Sequence, residues 1–155
     1  ILIGIRMGLK VMEGVILLFL LILTVPTLWG LKPYTVMSGS MEPVLPIGSL
    51  VYVLETKEVK AGDLIAFDVA EGQMCIHRCL ERKKDGTYVT KGDANAFQDM
   101  FTVAEEQIKG KSVYALPLAG YGMTFLQTPV GIGVVSLVFL GRMILDIIID
   151  RCKEI

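Results

Sequence analysis

Two uncharged apolar runs stand towards the ends of the chain, and between them short apolar or alternating segments are cut by turn residues. The first run, residues 14–31, reads GVILLFLLILTVPTLWGL. A helix needs about 20 apolar residues to cross a bilayer core, with about 17 as the lower limit. A helix apolar on every side also suits lipid better than the core of a small domain. Arg6 and Lys10 precede the run, as in a cleavable leader, but no small-x-small site follows it and the run is long for a leader. Trp29 and Tyr34 lie near its outer end, where interfacial aromatics collect. The second run, residues 123–141, reads MTFLQTPVGIGVVSLVFLG, and Pro129 with three glycines weakens its helix. Arg142 follows, then a tail in which Asp146 and Asp150 interrupt the apolar pattern, so residues 143–149 are candidates for the membrane interface.

Basic residues favour the cytoplasmic side of a membrane. Arg6 and Lys10 place the N-terminus there, and Arg142, Arg151 and Lys153 place the C-terminus there. The expected order is a cytoplasmic segment 1–13, a membrane helix 14–31, an extracytoplasmic domain 32–122, a second membrane helix 123–142 and a cytoplasmic or interfacial tail 143–155. The sequence opens on Ile1 rather than Met, so a longer precursor is expected.

The middle reads as strands. Residues 49–55, 63–69, 74–81, 87–92 and 111–120 are short runs rich in β-branched and aromatic residues, and Asp85-Gly86 supplies a hairpin turn. They predict a mainly β fold, a compact antiparallel β domain flanked by N-terminal and C-terminal transmembrane helices. Only residues 103–108 hint at a helical turn.

Hydrophobic residues make up 53% of the chain, above the roughly 45–50% of soluble domains, and the excess lies in the two runs. The formal net charge of -1 supplies no basic field to collect nucleic acid. Three cysteines, Cys75, Cys79 and Cys152, are too few for a disulfide framework. On an extended strand Cys75 and Cys79 stand roughly 13 Å apart, beyond the reach of a disulfide. With one histidine between them they also fall short of the four ligands of a structural zinc site, so no metal is expected. They read as small buried hydrophobes.

The candidate chemistry lies in three places. His77, the one histidine, sits in MCIHRCLE, where strand alternation sets Cys75, His77 and Cys79 on one face and Ile76 and Arg78 on the other. MSGSMEP, residues 37–43, places Ser38 and Ser40 just beyond the first run, where a serine would face the membrane surface. KGDANAFQD, residues 91–99, offers Asp93, Asn95 and Asp99 in a turn-rich loop without the spacing of a calcium loop. A serine hydroxyl is too weakly acidic to attack unaided, but a neutral imidazole removes its proton and an aspartate on the other ring nitrogen fixes the tautomer. The same segments also suit a catalytically silent membrane-anchored module, in which Ser-Gly-Ser is a turn and His77 is structural. A metal or redox protein built on Cys75, His77 and Cys79 is the third reading.

Taken in order, SGSMEP with LPIGSLVYV, then AGDLIAF, then His77-Arg78, then KGDANAFQD resemble the type I signal peptidases, over about residues 10–120. A large branch of that family has a lysine at this place, and the histidine resembles the endoplasmic-reticulum and archaeal type instead. The resemblance implies Ser40 as nucleophile and His77 as general base. Asp99 aligns with the triad aspartate and Asp93 with a second acidic residue, and which of the two orients His77 is left open. Ser38 resembles the hydroxyl that assists an oxyanion hole, and Met41, beside the nucleophile, belongs with it among the oxyanion and substrate-binding residues. Ala94 departs from the family, where asparagine is common. The implied substrates are preproteins with signal peptides, cut after small residues at the first and third positions before the bond. The implied partners are the bilayer and further membrane subunits; no cofactor is implied. A self-cleaving repressor with Ser-Lys chemistry would need a DNA-binding segment and a cleavable linker, and neither is found.

Overall fold

The computed structural model describes residues 2–70 and 72–153. Ile1 of the expected N-terminal segment, Glu71, and Glu154 and Ile155 of the expected tail lie outside the described residues. The chain divides into a helical unit, Ile1–Val25 with Met123–Ile155, and a β unit, Pro26–Gly122.

The first helix, α1, covers Leu2–Leu28, so the segment expected at 1–13 is helical from Leu2 onward. Its stretch Gly4–Leu28 is long and apolar enough to cross a membrane. It stops short of Leu31 because the chain turns at Gly30, whose φ of 79° suits glycine. The second apolar run, expected as one helix at 123–142, divides into α2 (Ala119–Leu126) and α3 (Pro129–Lys153). Thr128 and Pro129 make the division. The Thr128 hydroxyl accepts the Gly131 N–H at 3.0 Å, and Pro129 takes the first helical position, where its missing N–H costs nothing. Gly131 closes the turn: a β-carbon there would lie 2.0 Å from the Phe125 carbonyl oxygen.

Helix α3 runs on through the expected tail, and its stretch Pro129–Arg151 passes the same test for a membrane span. Two of its charges, Arg142 and Asp146, are paired. Arg6 Nε lies 2.7 Å from Asp146 Oδ1, Arg142 pairs with Glu13, and Arg142 Nε lies 3.4 Å from Asp146. Charges within a membrane-crossing length are costly alone and tolerable when matched. This pairing of 6 with 146 and 13 with 142 sets α1 and α3 antiparallel within the helical unit.

Seven strands build the β unit: β1 (Leu31–Thr35), β2 (Leu50–Leu54), β3 (Leu64–Ala70), β4 (Gln73–Arg82), β5 (Tyr88–Lys91), β6 (Thr102–Val103) and β7 (Ile108–Leu116). They form one sheet in the order β1-β2-β7-β3-β4-β5-β6, and every pairing is antiparallel. The five expected strands are all present; β1 and β6 are additional. Pro33 hides β1 from a pattern reading, yet as an edge strand it can forgo one N–H. The two residues of β6 are too few to show alternation. The strand expected at 111–120 ends at Leu116, since Leu118 turns the backbone to a φ of 62° ahead of α2. One 3-10 turn, Glu105–Gln107, falls in the expected helical window, and Lys57 Nζ donates to the Glu105 carbonyl at 2.9 Å.

The sheet is buried on both faces around β3. Ile65 and Phe67 pack with Cys79, Tyr88, Val103 and Ile108, while Ala66 between them packs with Met41, Leu45, Val51 and Val53. Alternation along β4 continues both layers: Cys75 joins the first, Met74 and Ile76 the second. Two irregularities in β7, opposite Tyr52/Val53 and Ala66/Phe67, bend it so that it serves both β2 and β3.

Candidate active site

Ser40 lies in the long connection between β1 and β2. The base of that connection is pinned where Val36 N–H donates to Ser49 O and Gly48 N–H to Val36 O, each at 2.9 Å. Its next residue, Met41, is buried, and Leu45 is buried one turn on, with its N–H on the Met41 carbonyl at 2.9 Å. Two apolar plugs thus hold the turn that presents Ser40. Met41, expected among the oxyanion and substrate-binding residues, is buried in the core with its sulfur accepting the Asp93 N–H at 3.4 Å, and it also lines the pocket beside Ser40.

The 92–95 turn docks on this segment from the other side. Ala94 N–H donates to the Ser40 carbonyl at 2.9 Å, and Gly92 packs against the same oxygen. The departure at Ala94 leaves this bond untouched, because it is made by the backbone.

His77 projects from the middle of β4 and is only 7% exposed. Its Nε2 lies 3.1 Å from Ser40 Oγ, and its Nδ1 lies 2.7 Å from Asp99 Oδ2. A carboxylate oxygen accepts, so Nδ1 carries the proton and Nε2 is left to accept the Ser40 hydroxyl. Phe67 meets the imidazole edge-on at 6.3 Å and shields it. Three side chains far apart in sequence therefore form one hydrogen-bonded line.

Residues 9–92, more than half of the chain, match the family described as signal peptidase, peptidase S26. The chain belongs to this family. It is 36% identical over 92 residues to signal peptidase I W of Bacillus subtilis (strain 168), covering 56% of this chain and 48% of that protein. It is 34% identical over 80 residues to the signal peptidase complex catalytic subunit SEC11 of Lachancea thermotolerans, covering 47% and 48%. The corresponding subunit of Scheffersomyces stipitis is 31% identical over 106 residues, covering 60% and 63%. The chain thus spans about half the length of the first two relatives and 63% of the third.

In this signal peptidase family member the two aspartates are engaged differently. Asp93 faces Arg78, which donates to it through Nε at 2.8 Å and Nη2 at 2.6 Å and reaches the Gly62 carbonyl through Nη1. That paired bonding, more than the guanidinium's charge, holds the Asp93 carboxyl below its ordinary range. Strand alternation explains the division, since His77 and Arg78 leave β4 on opposite faces. Asp99 is thus the aspartate at His77, and Asp93 braces the turn that meets Ser40.

Ser38 Oγ lies 3.4 Å from Ser40 Oγ at the mouth of a small cleft of about 130 Å³. The cleft opens between the chain leaving β1 and the start of β4, and Val36, Leu45, Met74 and Ile76 give it apolar walls. Cys75 also lines it, its thiol pushed up to about 11 by burial first and by Asp99 second, so it stays protonated at neutral pH. Among the described residues no three His, Cys, Asp or Glu side chains gather as metal ligands. Gly92 and Thr90 escape a reading of the sequence. The Lys-Gly-Asp run marks a turn, but not what the turn packs against.

Proposed function

We propose that this chain is a membrane-bound serine endopeptidase that removes signal peptides from secreted and membrane preproteins. The observation that carries the reading is the line Ser40 Oγ–His77 Nε2–His77 Nδ1–Asp99, at 3.1 and 2.7 Å. His77 takes the Ser40 proton as the oxygen adds to the scissile carbonyl carbon. The negative charge that develops on the carbonyl oxygen is met by the Ser40 N–H and the Ser38 hydroxyl. The imidazolium, steadied by Asp99, gives its proton to the leaving amine, and the acyl ester left on Ser40 is hydrolysed by water that His77 deprotonates in turn.

The narrow apolar cleft beside Ser40 suits small side chains ahead of the cut, and an extended substrate is suited to main-chain pairing along a strand edge. Helices α1 and α3 hold the chain in the bilayer with both ends cytoplasmic and the β unit on the opposite side, in keeping with Arg6, Lys10, Arg142 and Arg151. Two relatives are named as catalytic subunits of a complex, so partner subunits are part of the proposal.

The test is cleavage of a preprotein bearing an Ala-x-Ala site by detergent-solubilised protein, with Ser40→Ala and His77→Ala alongside. Cutting by the wild type and by neither variant supports the reading. Equal cutting by all three places the activity elsewhere. No cutting by any of them, with all folded, points to a missing subunit or to a silent module.

A further inference from the structure

We infer that Thr90 is a positioning residue for His77, acting through Asp99. The inference rests on the reading of Ser40, His77 and Asp99 as the catalytic line. Thr90 lies in β5 opposite Cys79 and is 0% exposed. A buried hydroxyl needs a partner, and a strand threonine often finds one in a nearby backbone carbonyl. Thr90 instead sends its hydroxyl to Asp99, with Oγ1 2.6 Å from Oδ2. That is the same carboxylate oxygen that His77 Nδ1 approaches at 2.7 Å. The Thr90 carbonyl also accepts the Asp99 N–H at 2.8 Å.

One residue therefore fixes Asp99 twice, at its backbone and at the reacting end of its side chain. The fixation matters because, beyond the docked turn of residues 92–95, the connection carrying Asp99 is largely exposed. Residues 94–98 are exposed and Met100 is fully so, and regular pairing resumes only at Thr102. Two donors on one oxygen also divide its charge. The Thr90 hydroxyl draws on the electron density that would otherwise face the imidazole, so it sets how strongly Asp99 stabilises the imidazolium. The other groups near His77 are the Ser40 hydroxyl, the Cys75 thiol two residues back on the same face of its strand, and Asp93 from the connection after β5, with Asp93 tied to Arg78. Thr90→Val leaves all of these in place and removes only the hydroxyl.

His77 is the one histidine in the chain, so histidine-selective isotope labelling makes its titration readable by NMR in detergent without assignment. The comparison is wild type, Thr90→Val, which keeps the shape, and Thr90→Ser, which keeps the hydroxyl. In Thr90→Val the His77 midpoint moves to higher pH, the acid limb of kcat/KM moves with it, and kcat/KM at its plateau falls about ten- to a hundredfold through kcat. Thr90→Ser returns all three most of the way to wild type. An unmoved midpoint and acid limb in a folded Thr90→Val overturn the inference, as does equal damage in both variants, which assigns Thr90 to packing. Should Thr90→Val not fold, Thr90→Ala decides by the same readouts. Failure of both to fold, beside a working Thr90→Ser, assigns the hydroxyl to folding alone and also overturns it. Ser40→Ala separates this from the underlying reading: if it cleaves as wild type the catalytic line is wrong, while the NMR titration still reports whether Thr90 acts on His77.

Discussion

The α-carbon of Gly92 faces the backbone carbonyl of Ser40 so closely that a β-carbon added there would lie 2.6 Å from the oxygen. The same β-carbon would lie 2.7 Å from Asn95 Nδ2. The exposed Asn95 amide can turn away, but the first obstacle is backbone and cannot. Gly92→Ala must push the turn of residues 92–95 off the Ser40 segment and weaken the Ala94 N–H bond to Ser40. A displacement near 1 Å at a reacting group costs about a hundredfold in rate. We expect cleavage by Gly92→Ala to fall about ten- to a hundredfold, chiefly in kcat, with the fold retained by circular dichroism. Activity within twofold of wild type would show that the turn does not position Ser40.

The Arg78–Asp93 pair has a pH signature. Arg78 holds the folded Asp93 carboxyl below its ordinary range, so in acid the unfolded chain binds that proton more readily. Stability from this pair is complete above the ordinary carboxyl value of about 3.9, and it is lost as pH falls through the lower folded value. Asp93→Asn should therefore be less stable than wild type at pH 7, by about 1–2 kcal/mol given the partly exposed Arg78. The difference should shrink on going from pH 5 to pH 2. Urea unfolding in detergent at the two ends of that range measures it, and a gap independent of pH would mean that the pair contributes no proton linkage.

Within the helical unit, Arg142 bonds to both Glu13 and Asp146. Reversing one partner, as in Glu13→Arg, sets like charges together inside a span where charge is costly. Combining it with Arg142→Glu restores one opposite pair. Thermal unfolding in micelles of the two single variants and the double variant forms a cycle, for which we expect a favourable coupling of about 0.5–3 kcal/mol. Additive effects would mean that the contact does not hold α1 to α3.

Much of this arrangement is legible in the order of the residues. The uncharged runs announce long apolar helices, because lipid and core burial both demand unbroken hydrophobicity. The β-branched runs announce β2, β3, β4, β5 and β7, because strand burial alternates. The motif around Ser40 and the lone histidine announce the candidate chemistry. Boundaries and short elements are less legible. The Thr128-Pro129 step looks like a weak point inside a helix and is a helix start, since a proline's effect depends on its position from the N-terminus. Strand β6 is too short for any pattern, and β1 is masked by Pro33.

The residue types are thus determined locally: one serine in a tight turn held by buried Met41 and Leu45, one histidine on a buried strand, and two aspartates in a polar turn. Which aspartate meets the histidine is decided by tertiary structure alone. Antiparallel pairing of β4 with β5 brings Arg78 and Asp93 together on one side, and Thr90 turns Asp99 towards His77 on the other. Spacing along the chain does not encode that choice, because both aspartates lie in one turn-rich connection. It is made by hydrogen bonds between side chains that only the closed sheet makes neighbours.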